Sequence, residues 1–444
     1  MISFERAKRT KEEKENKGQD LPLPFRLFTS FISSILCYLL CKLNAFMQPL
    51  FILSLALFST MLGNGVVVPF LPLYAQQFGA AGLGVGFLFS AHSTARTFLL
   101  PVIGKVSDRW GRKKFLLAGL LCYALSSVAF LLANSIVALI LIMAFQGIAT
   151  AMVQPVSMAY VGDLTPKGQE GAYAGYVNTA FLGGVAGGPL LGGLIKDLFN
   201  MQASFVIAGV LSLLSFLLLL FFLPESQSHR TATKTAAPSL REFLSCRPIV
   251  GVACFRLGYA FANAITWVFV PLLAARLLPL KTAQIGLLIS LNVLVSTLLQ
   301  APYGRLADRV NKASLIGIGG VLSAVALGAF PLARSFWHLL LLNVLTGAAA
   351  GLAFPAHVAL AMEQVRGAGM GTLMSLLLTV HSLGMMVGPL LFGFIADRIS
   401  LGSAFYSAGL IGALTTGACY VLANAPLPEP QATEVMEKEP AVAD

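Results

Sequence analysis

Gly104-Lys-Val-Ser-Asp108-Arg109-Trp-Gly111-Arg112-Lys113-Lys114 and Gly304-Arg-Leu-Ala-Asp308-Arg309-Val-Asn311-Lys312 are the same phrase written twice, 200 positions apart. Glycines in such a phrase permit a tight reversal at a helix end. A carboxylate there can cap a facing helix N-terminus, and the cations suit an anionic membrane surface. The same shift aligns positions well beyond the phrase. Gly147 meets Gly347, Pro155 meets Pro355, and Asp163 meets Glu363. Gly188-Pro189 meets Gly388-Pro389, Gly193 meets Gly393, and Asp197 meets Asp397. Chance does not produce so many matches of punctuating residues, so the chain is an internal duplication.

The copies are separated by apolar segments. Of 444 residues, 57% are hydrophobic and only 11% charged, with a mean hydropathy of +0.80. A soluble domain carries about 25% charged residues, so lipid must solvate much of this chain. Segments long enough to cross a bilayer run at 49–75, 82–103, 114–133, 136–160, 171–195 and 203–223, then at 249–274, 285–303, 313–333, 336–361, 370–396 and 402–424. The fold class read from this is all-α and integral to a membrane, with twelve spans in two halves of six. Six spans separate the copies, so both halves share one topology. Their relating pseudo-twofold axis runs along the membrane normal, with a solute site between them near the midplane.

Orientation follows from basic residues. With 104–114 cytoplasmic, the cytoplasmic side holds Lys105, Arg109, Arg112, Lys113, Lys114, Lys167, Arg230, Lys234, Arg241, Arg247, Arg305, Arg309, Lys312 and Arg366. The other side holds only Lys196, Arg276, Lys281, Arg334 and Arg398. The positive-inside rule therefore places both ends of the core in the cytoplasm, in a bacterial-type inner membrane. The formal charge of +11 follows this loop pattern and argues against a nucleic-acid partner. The reading divides the chain into a 1–47 leader, an N-terminal half at 48–223, a cytoplasmic linker at 224–248, a C-terminal half at 249–424, and a disordered cytoplasmic tail at 425–444. The leader is polar at 5–20 and apolar at 27–41, which is short for a span. An interfacial helix, a thirteenth span and a start-site artefact compete there, and the interfacial or dispensable segment is favoured.

The 104–114 phrase resembles the signature loop of the major facilitator superfamily in full, and 304–312 resembles a worn copy of it. The resemblance implies that Gly104, Asp108, Arg109, Gly111, Arg112 and Lys113, with Asp308 and Arg309, form a gating latch of the outward-open state, with Asp163 as its charge partner. In the fifth span, Gly175, Gly184, Gly188, Pro189, Gly192 and Gly193 match the complete pattern of the antiporter branch. Glycines at helical spacing let backbones approach, and proline bends the helix, so this span is expected to seal one face against leak. The eleventh span keeps Gly384, Gly388, Pro389 and Gly393 but has Ser375 and Phe392 where glycines would be. The chain thus looks closest to the twelve-span drug:proton antiporters. It departs from them at Met143, where those proteins usually carry an arginine before Gln146-Gly147, and this weakens the proton-coupled label.

No Asp or Glu falls near the middle of a span. Arg96 and Arg256 do fall inside spans, as do His92, His357 and His381. A membrane-embedded arginine costs at least about 2.5 kcal/mol unless it faces a wet cavity or a partner. Snorkelling is the simpler account for Arg256. The histidines can carry a proton or merely bond a carbonyl. Asn64, Gln146, Gln154, Asn263, Trp267 and Asn343 complete the candidate cavity, on spans that line it in this family. The six cysteines show neither disulfide rhythm nor metal spacing. No metal, cofactor or catalytic constellation is expected, so an enzyme is disfavoured. The expected function is secondary active efflux of a small amphipathic or anionic molecule by a monomer in the lipid bilayer, with a coupling proton left open. An importer or facilitator of a polar metabolite, or a non-transporting membrane sensor, stands as the alternative.

Overall fold

A computed structural model describes residues 48–165, 169–225, 246–364 and 370–424. The leader, most of the linker, the tail, Lys167, Arg230, Lys234, Arg241 and Arg366 lie outside the described residues. By backbone contacts the chain divides into Met1–Phe51 and Ile52–Asp444, and the packing below is that of the second unit.

Twelve helical rods are described, and eleven are long and apolar enough to cross a membrane. The first six are α1 (Gln48–Val67), α2 (Gly82–Trp110), α3 (Arg112–Leu132), α4 (Ile136–Leu164), α5 (Glu170–Leu198) and α6 (Met201–Phe222). The second six are α7 (Arg247–Ala264), α8 (Thr282–Ala307), α9 (Lys312–Ala329), α10 (Phe336–Gln364), α11 (Met370–Arg398) and α12 (Leu401–Ala423). The rod that falls short on hydropathy is α2, which carries His92, Ser93, Thr94, Arg96 and Thr97 midway.

Local chemistry sets the helix ends. Ser135 and Asn200 accept backbone N–H bonds at the starts of α4 and α6. Their counterparts Ser335 and Ser400 do the same for α10 and α12. Such caps satisfy amides that the first helical turn leaves free. Near Pro69 and Pro271 the rod changes pitch, whereas Pro101, Pro155, Pro189, Pro302, Pro355 and Pro389 sit inside continuous helices. α1 continues through a 3₁₀ turn at Val68–Phe70 into Leu71–Gln76, and α7 through a π turn at Ile265–Phe269 into Val270–Leu277.

The 104–114 phrase is less of a loop than its sequence suggested. α2 runs on through Pro101 and Gly104 to Trp110, and only Gly111 leaves helical geometry, at φ 95°. Its counterpart Asn311 keeps φ at −60° and instead caps α9 through its side chain. The degraded copy therefore makes its turn by a different device.

Packing repeats with the sequence. α2 packs on α4 as α8 packs on α10, and α3 on α6 as α9 on α12. Across the halves, α2 lies against α11 and α8 against α5. One apolar cluster takes residues from both halves, including Phe70, Tyr74, Leu88, Phe205, Phe269 and Leu288. A second, around Val252, Phe255, Ile316 and Ala356, belongs to the C-terminal half alone.

Candidate functional site

The halves are joined at the end of the bundle opposite Gly104–Lys114. There the fifth-span motif is pressed from two sides. A Cβ at Gly184 would strike the Phe58 carbonyl of α1, and one at Gly192 would strike that of Val66. At Gly188 it would lie 2.7 Å from the carbonyl carbon of Gly65. Gly193 faces the other half, where a Cβ would sit 2.7 Å from the Ala283 Cα of α8. Gly175 has open space around it. The Pro189 carbonyl abuts Gly286, as that of Pro389 abuts Gly86. In α11, Phe392 fills the place of a glycine and packs edge-on against Phe261 at 5.9 Å. Between helices in lipid there is little hydrophobic drive, so adhesion of this kind rests on close contact and hydrogen bonds.

Serines and aspartates complete the seal in symmetric pairs. Ser90 donates to the Met386 carbonyl at 2.6 Å, and Ser290 accepts from the Leu190 N–H at 2.9 Å. Asp397 accepts from the N–H groups of Gly82 and Leu83 at 2.6 and 2.7 Å, capping α2. Asp197 accepts from those of Thr282 and Ala283 at 2.9 and 2.7 Å, capping α8. Each carboxylate thus meets two free amides and the positive end of a helix in the opposite half.

At the other end, the ion pairs among described residues stay within a half. Arg112 bridges Asp108, at 3.0 Å, and Asp163, which accepts from Nε and Nη2. Lys113 donates to Glu225 and to the Leu220 carbonyl, and Tyr160 donates to that of Pro224. In the second half Lys312 pairs with Glu363 at 2.7 Å. Gly104 has open space beside it.

Between these ends lies a polar interior. The Thr150 hydroxyl donates to the Gln146 carbonyl, which leaves its oxygen to accept from Tyr123 and His92 Nε2. Arg96 Nη2 donates to Gln154 at 2.8 Å, while its buried Nε has no partner. Gln146 donates to Asn64 at 3.2 Å. In the C-terminal half, the Arg256 guanidinium lies over the rings of Tyr259 and Phe354, 5.6 and 5.2 Å from their centroids. His357 packs against Phe255 and Phe354, and His381 against Tyr259.

A sequence-family model for the Major Facilitator Superfamily matches residues 53–275 and 252–443, which together span most of the chain. The chain belongs to the Major Facilitator Superfamily. Among superfamily relatives, it is 28% identical to an uncharacterized transporter of this type, MJ1560 from Methanocaldococcus jannaschii, over 80% of this chain and 93% of that one. It is also 28% identical to the Multidrug resistance protein MdtG of Proteus mirabilis, over 82% and 92%. A bacterial homolog of the human lysosomal transporter Spinster, solved in an inward-facing, unoccupied conformation, superposes with a TM-score of 0.74 at 15% identity, covering 86% and 98%.

Within this superfamily fold, the sequence candidates fall into three groups. Arg96, Gln154, His92, Gln146 and Asn64 gather on the facing sides of α1, α2 and α4. Arg256, Asn263, His357 and His381 gather on α7, α10 and α11, with Asn263 paired to the Tyr259 hydroxyl. Asn343 stands apart, fully buried, with its Nδ2 donating to Leu339 and its carbonyl accepting from Asn292. Trp267 also packs into the apolar cluster shared by the halves. Tyr123, Thr150, Tyr259, Phe354, Asp197 and Asp397 were not singled out as site residues by sequence reasoning. The aromatics read as core, and only the repeat register marks the aspartates.

The Arg112–Asp163 and Lys312–Glu363 ion pairs should differ in weight. Asp163 is 6% exposed in its side chain, so Arg112→Ala strands a buried carboxylate, and breaking such a pair costs about 3 kcal/mol or more. Glu363 is 53% exposed, and Lys312→Ala should cost under about 1 kcal/mol. Thermal unfolding of the purified variants checks this order, and equal melting temperatures would contradict it.

Proposed function

We propose that this protein is a secondary active exporter of small amphipathic or anionic molecules, working by alternating access between its two halves. The observation that carries the reading is the seal. Gly184, Gly188, Gly192 and Gly193 of the fifth-span motif press α5 onto α1 and α8 at the end opposite the basic loops, where the contact would block leak. With the basic end cytoplasmic, the structure is in an inward-facing state. The Gly104–Lys114 motif is then the unengaged latch. Its charges pair within their own half and become available to the other half when the inner end closes. The multidrug name of the MdtG relative supports efflux.

Energy must come from a gradient, and the coupling group is not the usual one. Met143 is buried at the position where the resembled antiporters carry arginine. Among the described residues, Asp and Glu fall at helix ends. His92, His357 and His381 are the titratable groups left inside the spans to carry a coupling proton.

The test is accumulation of dyes and antibiotics in an efflux-deficient bacterium. Wild-type protein should lower accumulation, and a protonophore should restore it. Asp108→Asn should lose most of the effect, because the latch can no longer hold the inner end shut. Raised accumulation in the wild type would favour uptake and overturn the export reading.

A further inference from the structure

Among the described residues Arg256 has no counter-ion. It lies nine residues after the start of α7, about 13 Å along that helix. Its residue is only 8% exposed, yet Nε and Nη1 have no hydrogen-bond partner. Tyr259 and Phe354 lie together on one side of it, 5.7 Å from each other, and aromatic faces attract a guanidinium without satisfying its N–H groups. Beside it, Nδ1 of His381 is buried and unpartnered, and the buried His357 ring lies against the Phe354 backbone. Across the space between the halves, Arg96 of α2 is close enough for its charge to act on Arg256 and on His381. Arg96 also keeps a free Nε.

Snorkelling does not account for this arrangement. A snorkelling arginine ends in water or at a phosphate, with its donors satisfied. Here several donors are buried without acceptors, and among the described residues no carboxylate pairs with either guanidinium. Two guanidiniums in one interior, each with a buried unpartnered donor and no carboxylate paired to it, call for an anion. The surrounding walls then say what kind. Phe255, Tyr259 and Phe354 form an aromatic surface around the Arg256 head, which suits a flat apolar body next to the charged group.

We propose that Arg256 and Arg96 form a two-guanidinium site for an organic anion, a carboxylate or sulfonate borne on a planar aromatic body. The acid group lies between the two halves, where guanidiniums of both can bind it through charge-assisted hydrogen bonds. His381 offers one further N–H, and the ring of the ligand lies along Tyr259 and Phe354. This names the substrate class for the cavity of the proposed exporter and rests on that reading for its transport role, though not for binding.

Equilibrium dialysis of the full chain in lipid nanodiscs tests it with matched probes: 1-naphthoate, 1-naphthalenesulfonate, 1-naphthamide, 1-naphthylmethylammonium and inorganic phosphate. The two aromatic anions should bind, and the amide, the ammonium ion and phosphate should bind at least about tenfold more weakly. Arg256→Gln and Arg96→Gln should each raise the Kd of naphthoate about tenfold or more, and Arg256→Lys should recover part of the loss. Equal binding of the ammonium ion or the amide would overturn the proposal, as would failure of both aromatic anions to bind. Phosphate binding as tightly as naphthoate would overturn the aromatic part. The probe series in wild-type protein decides the matter even where a variant does not fold. Binding is read without a gradient, so the two readings fail separately. Naphthoate that binds but is taken up into cells sinks export and leaves the site standing. Dye efflux with ammonium-selective binding does the reverse.

Discussion

Valine at both Gly86 and Gly286 is expected to abolish transport while leaving each six-helix half folded. A Cβ at Gly86 would lie 2.9 Å from the carbonyl carbon of Pro389 and 3.2 Å from the Leu390 Cα. At Gly286 the distances to Pro189 and Leu190 are 2.8 and 3.1 Å. These obstacles are backbone, so no rotamer change relieves them. Each belongs to the opposite half, so the clash exists only while this end is shut. Overpacking costs about 1–3 kcal/mol per site. Both sites act on one equilibrium, so the closed state loses about 2–6 kcal/mol, which is roughly 30-fold to more than 10⁴-fold in population. A carrier that cannot close one end cannot alternate. The double variant should keep wild-type helicity and elute as a single species, yet show no flux in proteoliposomes. Retained flux would show that the contact is not needed for turnover. Gly192→Val is the contrasting case, because its clash with Val66 lies inside one half and should reduce folded yield instead.

Much of this architecture was legible in the sequence, because its causes are local and periodic. Span lengths follow from bilayer thickness, and the 200-residue repeat gives the symmetry. The fifth-span glycines gave a close-contact helix, and the structure adds which backbones it meets. What sequence could not supply is rotation about each helix axis. Asn343 and Gln154 look alike as polar residues on cavity-lining spans. Yet Asn343 is fully buried with its backbone against Asn292, while Gln154 holds Arg96. A period of 3.6 separates faces only when one face is distinctly polar, and these spans are apolar nearly all round. The cluster of Arg256 with two aromatic rings was hidden for a related reason. Tyr259 precedes no motif, Phe354 is nearly a hundred residues away, and each alone is an ordinary core aromatic.

The aspartates that cap the opposite half show how charge at a helix end can set a conformational equilibrium. Replacing both Asp197 and Asp397 with asparagine should shift the protein toward the state open at that end. Asparagine keeps one acceptor oxygen and nearly the same shape, so the change removes the charge and one of the two amide bonds at the start of each of α8 and α2. A charge at an exposed helix N-terminus is worth about 1 kcal/mol. The two caps serve separate helices but one equilibrium, so the double variant should lose about 2 kcal/mol, close to 30-fold. A closed population of about 99% would then fall to near three-quarters. Spin labels at Gln77 and Arg276, on the ends of the first and seventh rods, would report this as a second, longer distance by double electron–electron resonance. Each single variant should give about half the free-energy change, as the repeat symmetry requires. An unchanged distance distribution in the double variant would mean that close glycine packing alone holds this end shut. The carboxylates would then be caps without a part in the cycle. A shift produced by one variant and not the other would instead mark the end as functionally asymmetric, with Phe392 as the first residue to exchange for glycine.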